Sequence, residues 1–448
     1  MAGIAGIAEA GRTGDVTKML EKIEHRGRAG RLVVEIEQAT LGVAFNDRNA
    51  TALALEQNTV RDYAGKWHFA EAKVSDEKVL LSRDPVGVAP LYYGRTGSGA
   101  VCFASEVKAI LTATDDVRIL PPGCSYDGIQ MKTDYFPDKQ PLLREKPEVV
   151  AKELRRKLTA SVERCIAGQE VGAWLSGGLD SSTMAALARP FVKKLHTFSA
   201  GLAGAPDLEY AREVADFLEA NHHEARTSMN QMLQLLPEVI YHLESFDALL
   251  VRSSVANYLA GKAAAEYVTD VLSGEGGDEM FAGYEYLKTL QPDKLADELI
   301  DITARLHNTA LQRVDRCASA HGVVAHVPFL DPDVVEYVLR IPVEFKIHGG
   351  VEKWILRRAL DDALPQKILQ RRKAKFWEGA GIGELLAQHA DGKISDADFG
   401  QERILPNGWT INTKEELMYY RIFRERFGEL GDLSWMGRTK GAPSAATE

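Results

Sequence analysis

Two short stretches constrain this chain more than anything else in it: Ser176-Gly177-Gly178-Leu179-Asp180-Ser181-Ser182 and Ser273-Gly274-Glu275-Gly276-Gly277-Asp278-Glu279. The first follows the apolar run Val171 to Leu175 and precedes the helical stretch Thr183 to Arg189, so it reads as strand, loop and helix. Glycines let the backbone approach a phosphate closely, and the amides and dipole of a helix N-terminus favour negative charge. The hydroxyls of Ser176, Ser181 and Ser182 are candidate donors to phosphate oxygens. Asp180 would repel a phosphate unless a divalent cation lay between them, so it reads as a metal ligand. The Gly-Lys-Ser/Thr ending of a Walker A loop is missing. A lone Gly-Gly-Leu-Asp-Ser string also suits an ordinary strand-to-helix turn. The second stretch removes most of that reading, because it too follows an apolar run, Tyr267 to Leu272, and supplies another acid, Asp278. Two strands that each end in a Gly-rich turn with an Asp are expected if both point at one Mg-ATP at the carboxyl edge of a parallel sheet.

Length and composition narrow the rest. At 448 residues the chain exceeds one typical core, so two domains are expected. A net charge of -10 argues against nucleic acid or an anionic membrane as the main partner. No stretch has the uninterrupted apolar length of a membrane span, and no basic-then-apolar secretory pattern opens the chain. Cys102, Cys124, Cys165 and Cys317 lack metal or disulfide spacing, so the reading is a cytoplasmic protein with reduced thiols. His222-His223-Glu224 reads as structural or surface rather than metal-binding, and Arg371-Arg372-Lys373 taken alone as a solvated helix end.

The pattern along the chain is that of a two-domain α/β protein. Residues 1–135 are β-rich, with strand-like runs at Val79 to Leu81, Leu91 to Tyr93 and Val101 to Ser105. Residues 136–147 are proline-rich and charged, as in a linker. In residues 148–435, helical patterns at 148–166, 207–219 and 229–244 alternate with apolar strands at 170–175, 195–201 and 268–272, which predicts a parallel sheet. From about Tyr284 the pattern is mostly helical, and residues 436–448 are expected to form a flexible tail.

With these pieces in order, the sequence resembles the asparagine synthetase family, and the first motif resembles the loop of enzymes that cleave ATP to AMP and pyrophosphate. Further matching segments are Phe198-Ser-Ala-Gly-Leu202 with Ala205-Pro206-Asp207, Asp247-x-x-x-Val-Arg252-Ser-Ser254, and Val327-Pro-Phe-Leu-Asp331. Glu352-Lys353-x-Ile-Leu-Arg357 and Arg371-x-Lys373-x-x-Phe376 complete the set. The resemblance implies an α/β ATP-pyrophosphatase domain. In it Leu175, Ser176, Gly177, Gly178, Ala200, Ser273 and Gly274 would frame ATP, and Asp180 and Asp278 would hold Mg²⁺ on its phosphates. Lys373 would neutralise charge building on the α-phosphate and the leaving pyrophosphate. Glu352 would be a general base or a charge partner that orients the nucleophile. Arg252, Ser253, Ser254, Glu275 and Asp278 would contact the substrate acid, an Arg fork being matched to a carboxylate. Taken singly, Lys373 beside arginines and Glu352-Lys353 read as ordinary surface and helix charges; the ordered set reverses that. The implied reaction adenylates the side-chain carboxylate of aspartate and then lets ammonia displace AMP.

The front half resembles the family's glutaminase half, a β-rich sandwich of the N-terminal-nucleophile-hydrolase type. The matching pieces are Gly3-Ile-Ala-Gly-Ile7, His25-Arg-Gly27, Ser82-Arg-Asp84-x-x-Gly87, Pro90-Leu-Tyr92 and Ala104-Ser-Glu-Val-Lys108. Where that family places a nucleophilic cysteine, this chain has Ala2, and a methyl group cannot attack an amide. The Asn-Gly-Glu and Gly-Ser-Asp segments of a working glutaminase are also missing, and the domain is short between about Asp47 and Trp67. The expectation is a degenerate glutaminase, with ammonia taken from solution or from a separate amidase, and a homodimer. A related amide- or lactam-forming synthetase is the alternative within the same chemistry; Glu275, where lactam-forming relatives carry Tyr, and the Arg252-Ser-Ser254 stretch favour aspartate. A non-catalytic scaffold is the alternative outside it, opposed by the retention of both acids, Glu352 and Lys373.

Overall fold

The computed structural model describes residues 2–63, 67–135, 137–371 and 376–439. In the rear half, β1 (Glu170–Trp174), β2 (Lys194–Leu202), β3 (Asn221–Thr227), β4 (Asp270–Leu272) and β5 (Val324–His326) form one parallel sheet. Its spatial order is β3-β2-β1-β4-β5. The chain moves outward from β1 to β3, returns, and lays β4 and β5 on the other side of β1. The order therefore reverses between β1 and β4, and in open α/β sheets ligands bind outside the carboxyl ends of the strands at such a point. Both glycine-rich motifs leave the sheet there.

The apolar strands were legible because a parallel sheet is covered on both faces and reads as continuous hydrophobic sequence. Val171, Ala173 and Trp174 on β1 and Val271 and Leu272 on β4 are all buried. Helices Pro147–Arg164, Pro206–Phe217 and Met229–Leu243 fall within a few residues of their expected bounds. The first two start on Pro, whose missing N–H costs nothing at that position. The third starts on a Ser228–Gln231 capping box. Around the site lie α1 (Leu179–Ala188), α2 (Ala248–Ala264), α3 (Ala310–Ser319), α4 (Trp354–Ala359) and α5 (Lys414–Phe427). No helix among the described residues is long and apolar enough to cross a membrane.

The front half contains two antiparallel sheets. One orders Gly30–Ile36, Ala39–Phe45, Ala2–Ile7, Val101–Ala104, Tyr92–Arg95 and Arg118–Ile119; the other orders Met131–Thr133, Cys124–Tyr126, Lys78–Arg83, Phe69–Ser75 and Thr59–Tyr63. They share one core, in which Ile4, Leu41 and Val43 of the first meet Val60, Ala72 and Leu81 of the second. Helix Thr13–Lys22 packs on the other side of the first sheet, so close to Gly42 that a Cβ there would lie 2.6 Å from Val16.

Within the expected linker, Leu143 N donates to the Arg340 carbonyl at 2.8 Å, and Lys139 pairs with Asp297 at 2.5 Å. One expectation needs correction: the flexible tail does not begin at 436. Met436 is buried, Arg438 pairs with Glu416 at 2.6 Å, and Thr439 donates to Asp247 through its N at 3.0 Å and its Oγ1 at 2.8 Å. Residues 440–448 lie outside the described ones.

Candidate active site

The first loop is wound on its own hydroxyls. Ser181 Oγ accepts from Ser176 N and lies 3.2 Å from Ser176 Oγ, which in turn accepts from Gly178 N at 3.3 Å. Gly177 has φ +67°, and a Cβ there would sit 2.3 Å from Tyr210 Cβ, so only glycine closes this turn. Gly274 of the second loop lies against it: a Cβ on Gly274 would fall 2.8 Å from Ser181 N. Leu175 N donates to Phe198 O and Ser273 N to His326 O, both at 2.8 Å. With Ala200 at the end of β2, the expected ATP-framing residues Leu175, Ala200, Ser273 and Gly274 line the carboxyl edge of three adjacent strands. Ser182 is fully buried in α1, and its hydroxyl has no hydrogen-bond partner among the described residues.

Arg371 braces this loop from outside. Its Nη1 donates to the Ser176 carbonyl at 3.0 Å, its Nη2 reaches Asp207 at 2.5 Å, and its guanidinium lies 3.9 Å above the Tyr210 ring.

The two acids come together, as the sequence implied, and a residue the sequence reading passed over lies between them. Lys353 Nζ contacts Asp180 Oδ2 and lies 2.5 Å from Asp278 Oδ1. Its side chain is 4% exposed. Gly283 makes room for this clamp, since a Cβ there would be 2.0 Å from Asp278 Oδ1 and 2.3 Å from Lys353 Cε. An ammonium between two carboxylates is a stand-in for a cation. Mg²⁺ commonly binds through one or two carboxylates plus substrate phosphates. The donor set Asp180 and Asp278, beside a phosphate-shaped loop, fits that ion. Next to Asp278, burial first and then the Asp278 charge push the Glu279 carboxyl up to about 7.

Glu352 is buried and doubly paired, to Lys288 at 2.9 Å and to Arg357 at 2.7 Å. Burial would raise its pKa; the Lys288 hydrogen bond and the charges of Arg357 and Lys288 overcome that and hold it below the ordinary glutamate value. The two ion pairs fit the charge-partner expectation for Glu352. Glu352 lines a cavity of about 930 Å³ together with Glu285, Lys288, Trp354, Arg357 and Asp361.

The expected acid-binding residues divide. The Arg252 fork is engaged by Glu415 of α5 through Nε at 3.1 Å and through Nη2, and Tyr419 donates to the same carboxylate at 2.8 Å. Arg252 thus meets a carboxylate of its own chain, which corrects the expectation of a fork open to substrate. Ser254 is fully buried and donates back to Leu250 O at 2.7 Å, the usual turn-spanning bond of a helical serine, so it too is corrected. Ser253 and Glu275 are brought together by Arg313 of α3, which donates to Ser253 Oγ at 3.0 Å and to Glu275 Oε1. Lys373 lies outside the described residues.

Arg313, Lys353, Lys288, Arg357, Arg371 and Glu415 were therefore missed. Lys353, Arg357 and Arg371 stood inside recognised motifs, where nearness to Glu352 and Lys373 was the available signal. Lys288, Arg313 and Glu415 had none, because long-range packing alone delivers them.

Comparison with known proteins places the family. A family model described as asparagine synthase matches residues 153–299 and 288–442, and one described as a glutamine amidotransferase domain matches residues 36–112. The chain is 34% identical over 391 residues to asparagine synthetase [glutamine-hydrolyzing] 3 of Arabidopsis thaliana, covering 81% of this chain and 67% of that protein. It is 38% identical over 394 residues to a probable asparagine synthetase [glutamine-hydrolyzing] of Schizosaccharomyces pombe, covering 78% and 70%. The matches run through the two acidic loops, the sheet edge that carries them and the front-half strands alike, and on that basis the chain belongs to the asparagine synthetase family.

Proposed function

We propose that this chain makes asparagine from aspartate, ATP and ammonia by way of an aspartyl adenylate, and that it does not hydrolyse glutamine. The observation that carries the synthetic reading is the convergence of Asp180 and Asp278, from separate loops at one sheet edge, on a single cation position now held by Lys353. A bound Mg²⁺ would supply charge neutralisation on the phosphates there. The chain's own groups do the rest. The hydroxyls of Ser176 and Ser181, turned from their bonds within the loop, donate to phosphate oxygens at the N-terminus of α1. Lys353, displaced from the acids, has a nearby anion to follow. Glu352 keeps Lys288 and Arg357 fixed around the reaction space. The aspartate carboxylate attacks the α-phosphate and pyrophosphate leaves; ammonia then attacks the acyl carbon and AMP leaves. Positioning and charge stabilisation carry both steps. Lys373 keeps its proposed role at the α-phosphate.

The relatives compared above are named as glutamine-hydrolysing. The support for a different nitrogen source here is the end of the first strand. Ala2 N donates to Asp62 at 2.9 Å, Ala2 O accepts from Arg26 at 3.3 Å, and the side chain is a methyl group. Ammonia from solution, or from a separate amidase, takes the place of the front half.

A second reading, a related amide- or lactam-forming synthetase acting on a different carboxylic acid or amine, is favoured by the fork of Arg252, which Glu415 engages. The test is product formation from ATP, Mg²⁺ and aspartate with ammonium or glutamine at several pH values. Asparagine from ammonium alone, rising with pH as neutral ammonia grows, is expected. Asparagine from glutamine would reject the nitrogen assignment. Pyrophosphate release with another acid, and none with aspartate, would favour the second reading.

A further inference from the structure

The front half, with no nucleophile at residue 2, ends in a buried ionic cluster that the reaction above does not use. Arg26, from the segment between helix Thr13–Lys22 and strand Gly30–Ile36, is fully buried. Its Nη1 donates to Glu106 and to Asp315 at 2.8 Å and to Ser319 at 3.1 Å. Its Nη2 donates to Asp62 and to the other oxygen of Asp315, both at 2.9 Å. Asp315 and Ser319 belong to α3 of the rear half. The adjacent Arg316 joins the same cluster, reaching Glu244 at 3.0 Å and the Ser105 carbonyl at 3.2 Å. Glu244 in turn accepts from the front-half amides of Val107 and Lys108 at 3.1 and 2.7 Å.

The same helix carries Arg313 to the substrate side. Residues two apart on a helix point about 200° apart, so Arg313 and Asp315 lie on opposite faces of α3. One face is gripped by Arg26 of the front half, and the other presents a guanidinium to Glu275 and Ser253. The remaining side of α3 is closed by α2, which carries Ser253. A Cβ at Gly261 of α2 would lie 2.5 Å from the Cys317 carbonyl, so α3 has no room to shift that way.

We propose that the front half acts as a positioning element for the synthetase site. Arg26 is the positioning residue, and it sets the placement of Arg313, and through it of Glu275 and Ser253, by its fork on Asp315. This gives the front half a role independent of glutamine chemistry. The inference rests on the synthetase reading above and adds to it that binding of the acid, not of ATP, depends on the front half. The described contacts of α3 with the site run through Arg313 to Glu275 and Ser253.

The test uses the full chain and pyrophosphate release, recording kcat and KM for ATP and for the carboxylic acid that the wild type accepts. Arg26→Lys keeps the charge and loses the fork. It is expected to raise KM for the acid by about five- to twentyfold, the size of an ordinary coupling between sites, with KM for ATP unchanged. Asp315→Asn, which is isosteric, is expected to show the same split and serves as the measured variant if Arg26→Lys does not fold. In a double-mutant cycle of Arg26→Lys with Arg313→Lys, the effects on acid KM are expected to be non-additive. A purely structural role would lower the active fraction, so a fall in kcat with both KM values unchanged overturns the inference. A parallel rise in both KM values, or additivity in the cycle, does so as well. A wild type that releases no pyrophosphate with any acid overturns the synthetase reading and this inference together. An active wild type whose variants keep the acid KM overturns the inference alone.

Discussion

The ammonium of Lys353 lies 2.5 Å from Asp278 Oδ1, and the position is made by a backbone turn rather than by a helix face. Lys353 has φ +56°, in the left-handed region that a lysine seldom occupies, immediately before α4. Such conformations persist where the surroundings over-determine them, and here two carboxylates and the gap at Gly283 do so. Lys353→Gln removes the ammonium that balances these two acids. Breaking a buried pair costs about 3–5 kcal/mol, so the melting temperature should fall by many degrees in metal-free buffer. Mg²⁺ alone should then restore much of the loss, because no ammonium competes for the acids, while Mg²⁺ alone should shift the wild type little. Thermal melts with and without Mg²⁺ test this, and an equal Mg²⁺ response in the two proteins would reject a shared cation position.

Among the described residues, Arg371 meets the phosphate loop at the Ser176 carbonyl, which makes its effect separable from chemistry. Asp207 and the Tyr210 ring orient the guanidinium, and Asp207 is itself packed so tightly that a Cβ on Gly379 would fall 2.2 Å from its oxygens. Asp207→Asn keeps the shape and weakens the ionic hold. It should raise KM for ATP several-fold and leave the acid KM alone, the reverse of the split expected for Arg26→Lys. Equal rises in both constants would show that the loop and the acid pocket loosen together.

How much of this was readable beforehand follows from where information sits in a chain. The acidic loops and strands β1, β2 and β4 were visible because local sequence determines them: glycine where φ is positive or backbones touch, and unbroken apolar runs where both sheet faces are covered. Strand β3 was not, since Asn221-His-His-Glu-Ala-Arg-Thr227 is an edge strand with polar, half-exposed side chains. Strand β5, of three residues, is too short to carry a period. The pairing of Arg252 with Glu415 joins residues 163 positions apart, and that of Arg26 with Asp315 joins residues 289 apart. No local pattern encodes either partner. The reading therefore assigned Arg252 to a substrate carboxylate when the nearest carboxylate is supplied by α5.

His326 couples the edge of the sheet to the second loop. Its carbonyl accepts from Ser273 N, and its Nε2 lies 2.8 Å from Asp270 Oδ1. Burial would depress the imidazole, but the hydrogen bond it donates to Asp270 and its contacts with Cys165 outweigh that and bring the pKa up to about 9. The folded value lies above the ordinary 6.5, so the stability it contributes is complete below pH 6.5 and is lost as pH rises through 9. A shift of that size corresponds to at most about 3 kcal/mol, and less here because the Asp270 side chain is 34% exposed and solvent screens it. Denaturant midpoints should fall from pH 6 to pH 9.5 in the wild type and change less in His326→Gln. Parallel loss in both would mean that another group titrates.

Restoring the missing nucleophile should not restore a glutaminase. An N-terminal nucleophile depends on its own amine as the base, and on open donors for the substrate. At residue 2 the backbone nitrogen is committed to Asp62, and the Arg26 guanidinium is spread over Ala2 O, Asp62, Glu106, Asp315 and Ser319. A thiol introduced by Ala2→Cys would enter a site that is 8% exposed and whose cation already serves the rear half. Ala2→Cys is expected to release no glutamate from glutamine above background, and to make product from ammonium within twofold of the wild-type rate. Glutamate release from glutamine in that variant would mean that the front half keeps a working amide pocket, and that only the sulfur had been lost.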